Sequence, residues 1–223
     1  MTTRSIVWQL VLKDLRVAWP LIFGSLVLGV LSLVLSPWSA IAFFVGGSIL
    51  VVALILLNIL LVMGSLINER KEKIRVFLLS MPVSTTQYNV AKLVSSMIAY
   101  GVPAVVLTLG AVILLLATPL PNGFIPLFIA TSVHCFFYFC VLLAFALVTD
   151  SQTWTSTVII FGNVSVSFVI PGLINLSSIG PSLGTEVIVW SPDVVAFIAI
   201  ELVLAAAALV ISFIVNSRQT EFV

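Results

Sequence analysis

No Asp, Glu, Lys or Arg stands between Val17 and Ile67, and none between Leu93 and Thr149. Each run far exceeds the roughly 20 apolar residues that cross a hydrocarbon core of ~30 Å. Inside that core every backbone N–H and C=O has to be satisfied within the segment, so such runs fold as membrane-spanning helices. Composition agrees: of 223 residues 61% are hydrophobic and 8% charged, where a soluble domain carries about 25% charged, and mean hydropathy is +1.32. The chain reads as an all-α integral membrane protein, one domain over residues 1–223.

Punctuation inside the runs divides them into six helices. The first extends from Val17 to Leu35 and stops at Ser36-Pro37-Trp38; the second occupies Ala40 to Ile67. The third runs from Leu93 to Ala117, with a kink predicted at Pro103. Pro119, Pro121, Asn122 and Gly123 form a tight turn before the fourth, Ile125 to Val148. Thr149-Asp150-Ser151 supplies a turn and a cap for the fifth, which starts near Trp154 and is interrupted at Pro171-Gly172. The sixth, Val194 to Val215, takes Ser191 as its cap and Pro192 at its first position. Residues 171–193 are predicted to form extracellular re-entrant half-helices, because Ser177, Gly180, Pro181, Gly184 and Glu186 break an otherwise apolar run. Residues 1–16 are predicted as an interfacial helix lying against membrane lipids. There Ser5, Gln9, Lys13 and Arg16 form a stripe opposite Val7, Trp8, Val11, Leu12 and Leu15. A topology signal with no further role is the simpler reading of the same charges.

Six spans put both termini on one side. All nine basic residues then fall on that side, which the positive-inside rule makes the cytoplasm; the outer loops carry Glu186 and Asp193. Five of the nine lie in the segment 68–92, as Arg70, Lys71, Lys73, Arg75 and Lys92. Within it Ile74, Phe77, Leu78 and Met81 are spaced i, i+3, i+4, i+7, one apolar ridge of a short helix that ends before Pro82. Such a basic helix docks into a groove on a cytoplasmic partner or binds anionic headgroups. The interleaved Glu69 and Glu72 weaken the lipid reading.

Catalytic motifs are missing from the sequence. It holds no glycine-rich phosphate loop, no Gly-x-Ser-x-Gly elbow and no His-Glu-x-x-His pair, so no catalytic residue, metal ligand or nucleic-acid contact is assigned. Cys135 and Cys140 are predicted as buried free thiols on one helix. The polar groups inside the spans are Asn58, His134, Asn163 and Glu201. Intramembrane ionisable groups are costly and mark functional sites, so His134 and Glu201 either pair or line a path for a polar substrate. Asn58 and Asn163 are read as hydrogen-bonding glue between spans.

The motifs around the polar segment carry a family likeness. Glu69-Arg70 at the end of helix two, then Leu78-Leu79-Ser80-Met81-Pro82-Val83-Ser84, then Ala91-Lys92, resemble the type 2 family of ABC exporter permeases. Lys13-Asp14-Leu15-Arg16 resembles that family's interfacial lead-in, and Lys73-Ile74-Arg75, where many members have Gly-Thr, resembles its small bacterial branch. The resemblance implies a subunit without ATPase activity, working with a second permease copy, identical or paralogous, and two ABC ATP-binding subunits that hold ATP and Mg. It implies a coupling helix formed by Glu69, Arg70, Glu72, Lys73, Ile74, Phe77, Leu78 and Met81, and a cavity between helices two and five of the two copies. Pro171, Gly172 and Ile174 would form the outer gate, and Phe161, Val164, Phe168 and Ile170 apolar walls suited to peptides, lipids or amphipathic drugs. The expected setting is a bacterial cytoplasmic membrane, with export by alternating access. A stand-alone carrier or channel built on His134 and Glu201, an intramembrane enzyme, and a membrane immunity or regulatory subunit are the rival readings.

Overall fold

The structure, a computed structural model, describes residues 3–64, 85–149, 151–177 and 179–219. Six long helices account for nearly all of them. They are α1 (Thr3–Leu35), α2 (Ala40–Val62), α3 (Thr85–Ala117), α4 (Ile125–Val148), α5 (Gln152–Ile174) and α6 (Pro192–Gln219). All six are long and apolar enough to cross a membrane, and the described residues contain no strand.

Helix α4 is the axle of the bundle. It packs against α2, α3, α5 and α6, and Cys135, Phe139, Cys140, Leu142, Leu143 and Ala146 are sealed from the surface. Phe139 stacks on Tyr100 of α3 with ring centroids 4.3 Å apart. In the most apolar stretch of α4, 56% of residues are buried, against 11% in α5. One is fixed on all sides; the other leans on α4 and turns most of its surface outward.

The lead-in and the first span form one uninterrupted helix rather than two. Val11, Asp14, Ala18, Ile22, Ser25, Gly29 and Ser32 are buried at i+3 and i+4 intervals, so a single inward stripe passes through the junction and holds it helical. Pro20 sits inside without ending it. At ~1.5 Å per residue the helix is roughly 50 Å long, well beyond the ~30 Å core.

Helix α3 begins two turns earlier than predicted, at Thr85. Lys92 is therefore not in a polar connection but inside a helix, 2% exposed. Helix α5 is likewise not interrupted at Pro171-Gly172 and continues to Ile174. A proline in the last turn forfeits a single bond to the carbonyl four residues back, and its own carbonyl still accepts from Asn175 N–H at 2.9 Å. The half-helices predicted after it reduce, among the described residues, to one 3-10 turn, Gly180–Ser182. Ile179 is fully buried beside Leu127, Ala130, Leu173 and Val194, which pins this turn over the ends of α4, α5 and α6. At Gly123 the backbone N–H donates to the Thr185 carbonyl at 3.1 Å; a Cβ there would lie 1.9 Å from the Ser182 carbonyl, so only glycine fits. Ser151 and Ser191 cap α5 and α6 as predicted, accepting from Trp154 N–H and Val194 N–H.

Candidate functional site

A groove of ≈ 360 Å³ opens between α2 and α5, with α4 as its floor. Phe43, Phe44, Phe124 and Phe128 crowd its rim, ring centroids 4.9 to 6.3 Å apart in edge-to-face arrangements. Val51, Val52, Ile55, Leu127, Val166 and Ile170 give it aliphatic walls. Its polar groups are Ser48, Thr131, Asn163 and Ser167. Three of these already serve their own helix: Ser48 donates to Phe44 O, Asn163 to Ile159 O and Ser167 to Asn163 O. Such a surface takes an apolar or amphipathic guest and offers little to a sugar or an ion.

One turn along α4 from Thr131 lies a polar seam that joins α4 to α5. Tyr138 lays its ring on Gly162, where a Cβ would stand 1.7 Å from a ring carbon, and its hydroxyl donates to Ile159 O at 3.0 Å. Glycine is required because no other residue lets the ring approach the α5 backbone. Beside it, His134 Nε2 is 3.0 Å from Ser165 Oγ on α5, and Nδ1 is 2.6 Å from Glu201 Oε1 on α6. His134 and Glu201 are 4% and 6% exposed. The two alternatives open for them in the sequence resolve as pairing.

Serine, histidine and carboxylate in a line have the order of an acyl-transfer triad. Two features set this line apart. Ser165 Oγ donates its one proton to Gly162 O at 2.7 Å, so it faces His134 with lone pairs. It also sits inside α5, where the backbone N–H groups of its turn are spent on the helix and none is left as an oxyanion donor.

A second buried ion pair ties the starts of α1 and α3. Lys92 Nζ lies 2.9 Å from Asp14 Oδ2, Ser95 Oγ stands 3.3 Å from the same oxygen and 3.1 Å from Lys92 O, and Lys13 Nζ stands 3.4 Å from Oδ1. The Lys92 ammonium also lies 5.7 Å from the ring centre of Tyr88. In the sequence Asp14 stands out only for its likeness to a family motif, and Lys92 for that likeness and as one of the basic residues of segment 68–92. The signal that pairs them is the position of Asp14 on the inward stripe, three residues after Val11 and four before Ala18.

Of the predicted coupling residues, Glu69, Arg70, Glu72, Lys73, Ile74, Phe77, Leu78 and Met81 all lie outside the described residues. Pro171 and Gly172 are exposed on α5, and Ile174 lines the groove. Ile170 also lines it, whereas Phe161, Val164 and Phe168 stand exposed outside it. Neither asparagine acts as glue between helices: Asn163 bonds within α5, and Asn58 is fully buried with both amide atoms unpartnered.

The chain matches, over residues 9–219, the family model described as ABC-2 family transporter protein. No curated protein and no solved structure matches it.

Proposed function

The chain belongs to the ABC-2 family of transporter membrane proteins, and from that premise we propose that it is the permease subunit of an ATP-driven exporter for hydrophobic or amphipathic substrates. Permeases of this family are transport components, normally non-catalytic, that work with an ATP-binding subunit. The observation that carries the substrate class is the α2–α5 groove, rimmed by phenylalanine and nearly free of unsatisfied polar groups.

In this reading two permease copies, identical or paralogous, stand on two ABC subunits that hold ATP and Mg. Residues 69–81 form the handle those subunits grip, through Ile74, Phe77, Leu78 and Met81. ATP-driven closure of the motor tilts the spans, and the groove opens outward past Ile174. The one-sided distribution of basic residues supports cytoplasmic termini in a bacterial inner membrane. His134 and Glu201 are committed to each other, which leaves the stand-alone carrier without the two mid-span ionisable groups it was built on.

The test is to purify the tagged chain from its own membranes and rebuild it in vesicles. An ABC ATPase is expected to co-purify, and a fluorescent amphipathic substrate to leave the ATP-accessible side only with ATP. Phe77→Asp is expected to abolish transport and the stimulation of the ATPase. Transport by this chain alone, without ATP, would refute the reading.

A further inference from the structure

The hydrogen bonds at His134 fix more than its neighbours. A hydroxyl has one proton, and that of Ser165 is committed to Gly162 O at 2.7 Å. If it turned to His134 instead, two lone-pair oxygens would face each other at that distance. Nε2 therefore carries the proton in its 3.0 Å bond to Ser165. On the opposite side, Nδ1 and Glu201 Oε1 are 2.6 Å apart, and a bond that short needs a proton between them. With Nε2 already protonated, either the ring is an imidazolium against a carboxylate or the carboxyl is an acid donating to a neutral ring. Both count the same: one proton shared by the two facing atoms, and no net charge.

The surroundings demand that neutrality. No lysine or arginine occurs in α4 or α5, and that of α6, Arg218, is more than four turns from Glu201. The titratable neighbours are Cys135 and Tyr138 on α4; α5 brings none, and Asp193 on α6 is two turns away. Glu201 Oε2 is buried without a hydrogen-bond partner, an expensive place for half a carboxylate charge and a tolerable one for the carbonyl of an acid. Helix α3, which also packs on α4, brings Lys92, but Asp14 already holds it, so among the described residues the compensating charge comes from a proton.

We propose that His134 and Glu201 form a proton-binding site at mid-span, and that its retained proton orients His134 so that Nε2–H clasps Ser165 and holds α5 to α4 and α6. The inference stands on this geometry and does not depend on what the permease carries. Drawing α5 away to widen the groove has to break the Nε2–H to Ser165 bond, since α5 leans mainly on α4. His134 and Glu201 are positioning residues here.

His134 is the chain's one histidine, so ¹⁵N-histidine labelling of the whole protein in lipid nanodiscs reads this site alone. At neutral pH a one-bond proton–nitrogen correlation is expected at Nε2, whether or not Nδ1 carries a second. A bare Nε2 with protonated Nδ1 would overturn the proposal, since Ser165 would then be the donor and Glu201 an ordinary carboxylate. The paired variants ask the same question through stability. Glu201→Gln, whose amide donates to Nδ1 as the acid would, is expected to keep the Nε2 correlation and a wild-type unfolding midpoint, while Glu201→Ala, which strips Nδ1 of its partner, lowers the midpoint. Equal loss in the two variants would also overturn it.

Discussion

The two buried ion pairs among the described residues solve one problem in opposite ways. Asp14 and Lys92 join α1 to α3 near the helix starts, where Lys13 is still 42% exposed, and both carboxylate oxygens of Asp14 have partners. His134 and Glu201 join α4 to α6 in mid-span, with one carboxyl oxygen bare. A lysine is a strongly hydrated point charge and suits the pair near the membrane surface. An imidazole can share a proton and needs no permanent charge, which suits the pair furthest from water. Depth in the bilayer selects the kind of pair.

Mutations that strip one partner from each site test this division. The largest effect is expected from Asp14→Ala, which takes the carboxylate from a buried ammonium and should cost about 3–5 kcal/mol, read as thermal unfolding in nanodiscs. Adding Lys92→Met to it should restore most of that loss, because removing both charges of a buried pair is often close to neutral. Next comes Gly162→Ala, which drives a methyl into the Tyr138 ring and should cost about 1–3 kcal/mol by overpacking the α4–α5 seam. Ser95→Ala removes a hydroxyl shared between Asp14 and the Lys92 carbonyl and should cost about 1 kcal/mol. Tyr138→Phe, which deletes a single bond between two spans, should cost about 0.6 kcal/mol. The comparison breaks if Asp14→Ala proves as mild as Tyr138→Phe, for then Lys92 already reaches headgroup water.

Much of this was legible in the sequence because charge and proline punctuate it so sparsely. The bounds of α4 match those read from the Pro119–Gly123 turn and the Thr149–Ser151 break, and both serine caps hold. What misled was local punctuation that tertiary packing overrides. Pro171-Gly172 reads as a break, yet so near a helix end a proline costs one bond. Lys92 reads as loop because it is charged, and its burial rests on a carboxylate, Asp14, 78 residues back in sequence. Ser165 gave no signal of its own, since most intramembrane serines bond the preceding turn, and this one does that as well. Gly162, three residues before it, was the clue: a small residue one turn away marks a close helix contact.

Helix α1 is a rod longer than the slab it crosses, by roughly 20 Å. Such a rod leans or stands proud of the surface, and how far it leans depends on the thickness of the lipid around it. Since the Asp14 clamp fastens it to α3, any lean is imposed on the helix that follows residues 69–81. Under the proposed permease reading, bilayers of different chain length would then retune how firmly an ATP-driven stroke reaches the spans, with no change to the protein itself.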